Sequence, residues 1–92
     1  VRRRARIDAN QPLIVKELRK AGRTVRILSP LGDGIPDLLV GNNGVNYLLE
    51  VKDPSKVLSQ RKLTDDEKDF HDSWLGQKAI VKTVDEALRA TC

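Results

Sequence analysis

Asp37, Glu50 and Lys52 put charge into a stretch that should otherwise be buried. Asp37 follows Pro36 and opens the apolar run 38–40, Glu50 closes a second apolar run, and Lys52 stands two residues beyond it. Between the runs lies Gly-Asn-Asn-Gly at 41–44, residues that accept positive φ and so signal a hairpin. Side chains alternate along a strand, so Glu50 and Lys52 share one face and Val51 takes the other. Folding back at 41–44 brings Asp37, at the start of the outgoing strand, beside Glu50 and Lys52 at the end of the returning one. Two carboxylates that converge repel each other unless a cation joins them. Mg²⁺ suits such a pair, because it binds one or two carboxylates, keeps waters and accepts phosphate oxygens. An ion there polarises a phosphoryl oxygen and acidifies a bound water, while a neighbouring lysine orients that water or stabilises developing charge. This is the chemistry of phosphodiester hydrolysis. The same spacing also fits a structural arrangement, a Glu50–Lys52 salt bridge with Asp37 capping a turn, and spacing alone does not separate the two.

The elements that must position these residues are readable along the chain. Ile14, Val15, Leu18 and Ala21 fall at helical spacing over 11–21, with Asp8 or Asn10 as a cap, Pro12 in the first turn and Gly22 as a stop. Strands are expected at 24–28, 37–40, 46–52 and 79–82, with the "SPLGDG" segment as a turn and 56–63 as a loop. Thr64 and Glu67 have capping-box spacing at the start of a helix whose apolar side carries Phe70 and Trp74, ending at Gly76. Thr83 and Glu86 repeat that spacing before a short last helix with Ala87 and Leu88. The order is α-β-β-β-α-β-α. Its first three strands form an antiparallel meander, and the fourth runs parallel to the third after a helical crossover. The expected fold class is α/β (α+β), a mixed four-stranded sheet flanked by helices.

The chain has 92 residues, enough for one domain with a small core, so pairing with a second copy is expected to add stability. With 39% hydrophobic and 33% charged residues it has the composition of a globular protein. No apolar stretch is long enough to span a bilayer, no signal peptide is visible, and the single cysteine, Cys92, rules out a disulfide framework or a Cys/His metal cluster. A cytoplasmic location is expected. The absence of methionine suggests that the native start lies upstream. Residues 1–26 hold nine Lys/Arg against two acids, and the remainder holds eight against eleven. A basic arm over 1–7, with Arg2, Arg3, Arg4 and Arg6, on a mildly acidic body either binds a polyanion such as DNA or is simply solvated. Lys56, Arg61 and Lys62, just after the motif, are candidate phosphate contacts.

The "IPDLLV…YLLEVK" pattern resembles the signature of the PD-(D/E)XK nuclease superfamily: Pro36-Asp37, twelve intervening residues, then Glu50-Val51-Lys52. The αβββαβ order is that superfamily's restriction-endonuclease-like core. "GDGIPDLLVG", "LLEVKDPSK", "KLTDDEKDFHDSWLG" and "VKTVDEAL" are similar to the virus-type replication-repair nuclease (VRR-NUC) branch in its stand-alone phage or bacterial form, over about residues 8–90. The resemblance implies a nuclease domain over 8–92. It further implies Asp37, Glu50 and the backbone carbonyl of Val51 as ligands of Mg²⁺ or Mn²⁺, and Asp37, Glu50 and Lys52 as catalytic residues. Where the family carries a glutamate near the start of the first helix, this chain has Asn10 and Gln11, so Gln11 is the expected accessory residue, without charge; Glu17 is read as solvent-facing. Glu67 stands where the family often has glutamine, as a capping residue, a site residue or both. His71 is read as a packed surface histidine. Phe70, Trp74 and Tyr47 are read as core residues, because so few aromatics make a poor base-stacking surface. The implied activity is a DNA endonuclease acting in the phage or bacterial host cell, similar to Holliday-junction resolvases, selective for branched DNA and working as a homodimer. The alternative is a nuclease-fold module that binds DNA or protein with little or no catalysis.

Overall fold

The structure, a computed structural model, describes residues 7–58 and 62–92. The first helix, α1 (Gln11–Lys20), buries Gln11, Ile14, Val15 and Leu18 along one stripe. Its end follows from Gly22. With φ of 91° this residue turns the chain so that its own N–H reaches the Arg19 carbonyl and the Arg23 N–H reaches that of Leu18, which closes the helix as a Schellman motif. Neither expected cap operates. Asn10 occupies the N-cap position but makes no side-chain cap hydrogen bond, and the Asp8 carboxylate accepts from Lys56 Nζ instead.

Strand β1 (Thr24–Ile27) is followed by a 3₁₀ turn (Ser29–Leu31), then β2 (Leu38–Asn42) and β3 (Val45–Val51). The β2–β3 connection is the two-residue turn Asn43-Gly44, both at positive φ (52° and 79°), as a type I′ hairpin requires. Helix α2 (Asp65–Ser73), β4 (Lys78–Val81) and α3 (Val84–Ala90) complete the chain. The sheet order is β1-β2-β3-β4, with β1–β2 and β2–β3 antiparallel and β3–β4 parallel. Among the described residues the chain is thus α+β, a mixed four-stranded sheet flanked by three helices, in the expected αβββαβα order. Element ends lie within two or three residues of expectation. The segment 56–63, read as a loop, falls partly outside the described residues, as do Arg2, Arg3, Arg4, Arg6 and Arg61.

One sheet face carries the core. Val25, Leu38, Val40, Leu49, Val51 and Val81 pack with Ile14, Val15 and Leu18 of α1 and Ala87 of α3. By the alternation of side chains, Leu39, Leu48, Glu50, Lys52 and Ile80 lie on the other face. That face is thinly covered. Helix α2 has no buried residue, Trp74 is 44% exposed and Leu75 fully exposed. The reading of Trp74 as core is therefore corrected. It stacks on Phe70 (centroids 5.0 Å apart, 17° between planes), which is half-buried and, like Trp74, outside the core cluster. Tyr47 is half-buried against the core, and its hydroxyl donates to the Cys92 carbonyl.

Helix α2 is positioned instead by a close backbone approach. Gly34 has φ of 80°, and a Cβ there would lie 2.4 Å from the backbone carbon and oxygen of Asp66. Gly34→Ala should combine positive-φ strain with this clash and destabilise the fold by more than about 1 kcal/mol. For a domain of this size that lowers Tm by roughly 4–8 °C, measurable by circular dichroism. An unchanged Tm would mean that α2 is not seated on this turn.

Candidate active site

The register puts the charged residues where the hairpin argument placed them. Leu38 pairs with Leu49, so Asp37 lies across from Glu50, one step beyond the end of β2. Asp37 Oδ2 accepts the Val51 N–H at 2.8 Å, and Oδ1 accepts the Ser29 hydroxyl at 3.2 Å. In a strand the N–H and C=O of one residue point to the same edge, so the Val51 carbonyl is directed to the side of the Asp37 carboxylate. Glu50 is 2% exposed and Asp37 6%. Lys52 Nζ is 3.7 Å from Glu50 Oε2 and 2.8 Å from Glu67 Oε1.

Glu67 serves two ends at once. Its Oε1 accepts the Thr64 N–H at 2.9 Å while Thr64 Oγ1 accepts the Glu67 N–H at 3.2 Å, the reciprocal capping box expected for α2. The same oxygen holds Lys52. The strongest partner of Lys52 is therefore Glu67, from another element, and not Glu50 as in the simple salt-bridge reading.

Electrostatics follow from this geometry. Burial, then the neighbouring Asp37 and Glu67 charges, push the Glu50 carboxyl up to about 10. Burial also raises Asp37, against the opposing hydrogen bond from Val51 N–H. For Lys52, burial works against the charged form but is outweighed by the Glu67 hydrogen bond and charge, so its pKa is raised. Burial of Glu67 is likewise outweighed, by Lys52, and its pKa is lowered. Without a bound metal ion Glu50 thus keeps its proton at neutral pH, and that proton can join it to the Asp37 carboxylate. Ionised Glu50 loses that bridge, and its Oε1 is buried without a hydrogen-bond donor.

An orphaned, buried carboxylate oxygen beside a second buried carboxylate is what an oxygen-ligated cation would satisfy. Each Asp37 oxygen takes one hydrogen bond and keeps a lone pair. Among the described residues no three His, Cys, Asp or Glu side chains form a metal-holding group by themselves. The donors present fit a single hard cation held by Asp37, Glu50 and the Val51 carbonyl, with water or substrate oxygens completing the shell.

Other expected site residues fall differently. Gln11 is buried, but its amide is spent on Ser29: Nε2 donates to Ser29 Oγ at 3.1 Å. Ser29 in turn donates to Asp37, so Gln11 reaches the site through Ser29. Lys56, expected as a phosphate contact, pairs with Asp8 at 2.5 Å. Lys62 is exposed and lines a groove with Lys52. His71 is half-buried with its pKa lowered by burial and then by Lys78, hence neutral, and it bonds to none of Asp37, Glu50 and Lys52. Sequence reasoning missed Ser29 and Lys82 and gave Asn10 a capping role that it does not fill. Ser29 was the accessible one, since it opens the turn that leads back toward Asp37. A larger groove, about 480 Å³, lies along α1 between Ile7, Pro12, Val15 and Ile27; none of its lining residues is acidic. Compared with known protein families, with curated proteins and with solved structures, the chain matches none. No helix among the described residues is long and apolar enough to cross a membrane.

Proposed function

We propose that the chain is a metal-dependent nuclease of the PD-(D/E)XK type, similar to the VRR-NUC branch, that hydrolyses phosphodiester bonds in DNA. The observation that carries this reading is the pair of buried carboxylates, Asp37 and Glu50, facing each other with Glu50 Oε1 unpartnered and Lys52 Nζ 3.7 Å away. A purely structural role would leave this pair as a net cost, because a buried carboxyl forced to keep its proton contributes less than an apolar side chain of like size. Asp37, Glu50 and the Val51 carbonyl would hold Mg²⁺ or Mn²⁺. Such an ion supplies Lewis acidity toward a phosphoryl oxygen and acidifies a bound water.

The protein's own groups do the positioning. Ser29 and the Val51 N–H fix both oxygens of Asp37, so that carboxylate cannot rotate. Glu67 holds Lys52 by one of its three N–H donors, leaving two to orient an attacking water or meet charge developing on the phosphoryl oxygens. Leu58, Trp74, Leu75 and Ile80 are exposed. Of these, Trp74 and Leu75 would supply apolar surface for a second copy, and a two-fold dimer would place two sites on opposed strands of a branched DNA.

One observation favours the second reading, a DNA- or protein-binding module of weak activity. Where a further acidic ligand would stand on α1, Gln11 is uncharged and committed to Ser29. The test is incubation with a four-way junction, a flap and a plain duplex, each with Mg²⁺, Mn²⁺ or EDTA, with light scattering for the mass. Metal-dependent cleavage that disappears in EDTA is the expected result. Tight DNA binding without cleavage in either metal would favour the module, and a monomer giving uncoupled single nicks would retire the resolvase-like dimer alone.

A further inference from the structure

Beside the carboxylates runs a groove of about 260 Å³ lined by Lys52, Leu58, Lys62, Ile80 and Lys82. The parallel register sets Val51 against Val81, and the ladder continues with the Lys52 N–H donating to the Val81 carbonyl at 3.0 Å. Lys82 is thereby the strand neighbour of Lys52, on the same sheet face. Like charges placed side by side across two strands repel. The fold nevertheless pins them together. Asn10 Nδ2 donates to the carbonyl of Lys52 at 3.1 Å and to that of Lys82 at 2.9 Å, clamping the two strand ends. The Lys82 N–H donates to Glu86 Oε1 at 2.8 Å, which ties the same backbone to the start of α3. The Lys52 charge is answered by Glu67. Among the described residues no carboxylate is paired with the side chain of Lys62 or Lys82.

Two unanswered ammonium groups over an apolar strip, next to a site read as cutting phosphodiesters, call for an anion with an apolar skeleton. We propose that Lys82, clamped beside Lys52 by Asn10, binds with Lys62 the backbone phosphates of a DNA strand that flank the one at the carboxylates. The sugar edges of that strand run over Ile80 and Leu58. This rests on the nuclease reading for the position of the reacting phosphate and on charge complementarity for the rest. Contacts of this kind position the strand and carry no sequence information.

The test is fluorescence anisotropy with a labelled mixed-sequence DNA duplex in EDTA, over a salt series, for the wild type, Lys82→Ala, Lys82→Arg and Lys20→Ala. Lys20 is an exposed lysine on α1, across the core from this face. Lys82→Ala is expected to weaken binding roughly fivefold to tenfold at about 0.1 M salt and to flatten the log–log salt slope by about 0.9, one phosphate contact. Lys82→Arg should keep the slope, and Lys20→Ala should lie near the wild type. An unchanged slope in Lys82→Ala, an equal drop in Lys20→Ala, no measurable DNA binding by the wild type, or equal affinity for polyglutamate would each overturn the proposal. A Lys82-dependent slope in a protein that never cleaves would instead remove the nuclease reading and leave the phosphate track standing.

Discussion

Glu50→Gln should abolish cleavage and at the same time stabilise the metal-free protein. Loss of a ligand removes several kcal/mol of transition-state stabilisation, so the rate should fall by on the order of 10³-fold or more. The gain in stability has a separate origin. The Glu50 carboxyl is raised to about 10 in the fold against 4.5 for the free group, through burial first and then the Asp37 and Glu67 charges. A carboxyl whose folded pKa lies above its unfolded value stabilises the fold fully below the unfolded value and loses that contribution as pH rises through the folded one. Stability of the wild type in EDTA should therefore fall between about pH 4.5 and pH 10, by on the order of 1 kcal/mol per pH unit. Glutamine has no proton to hold, so this slope should flatten, and at pH 7 the variant should exceed the wild type by about 2–3 kcal/mol. Urea melts of both proteins across pH, with and without Mg²⁺, check this. Cleavage by folded Glu50→Gln at saturating metal would sink the assignment of Glu50 as a ligand, and an equal pH slope in both proteins would sink its assignment as a neutral acid in the metal-free state.

Lys52→Ala should separate rate from binding. Its ammonium lies beside Glu50 without hydrogen-bonding to it and is tied to Glu67, so under the proposed nuclease function it would act on water or phosphoryl oxygens and would not bind the cation. Removing a positioned group of this kind lowers kcat by about 10²–10⁴-fold. Metal affinity should hold or rise, because a cation adjacent to the ligand pair is gone. The variant should lose about 2 kcal/mol of stability, since Glu67 loses its charged hydrogen-bond partner. Lys52→Ala combined with Glu50→Gln should be less than additive in stability, because Lys52 and Glu50 share one charge network. Single-turnover kinetics and calorimetric metal titration separate the terms. A metal affinity that falls in step with the rate would overturn the role given to Lys52.

Much of this architecture was legible because its signals are local. Asn43-Gly44 specifies a two-residue hairpin through the positive φ that both residues tolerate, and that turn alone sets Asp37 against Glu50. Thr64 with Glu67, and Thr83 before Glu86, mark helix starts by spacing that a few residues suffice to read. Gly22 marks the end of α1 in the same way.

What only the tertiary structure decided is what depends on which distant segments meet. Periodicity identified the apolar side of α2 but not what it would face. The core lies on the opposite side of the sheet with α1 and α3, so Trp74 is left at the surface. Asp8 and Asn10 carry the chemistry of helix caps, yet a lysine from the turn after β3 claims the first, and the carbonyls of two parallel strand ends claim the second. Ser29 reaches Asp37, and Lys82 stands beside Lys52, through the pairing of strands whose register no single segment encodes. The sequence by itself determined the acids, the lysine and the turn that gathers them. The protonation of Glu50 and the answering of Lys52 by Glu67 were decided by tertiary structure, because burial and charge proximity are properties of the packed whole.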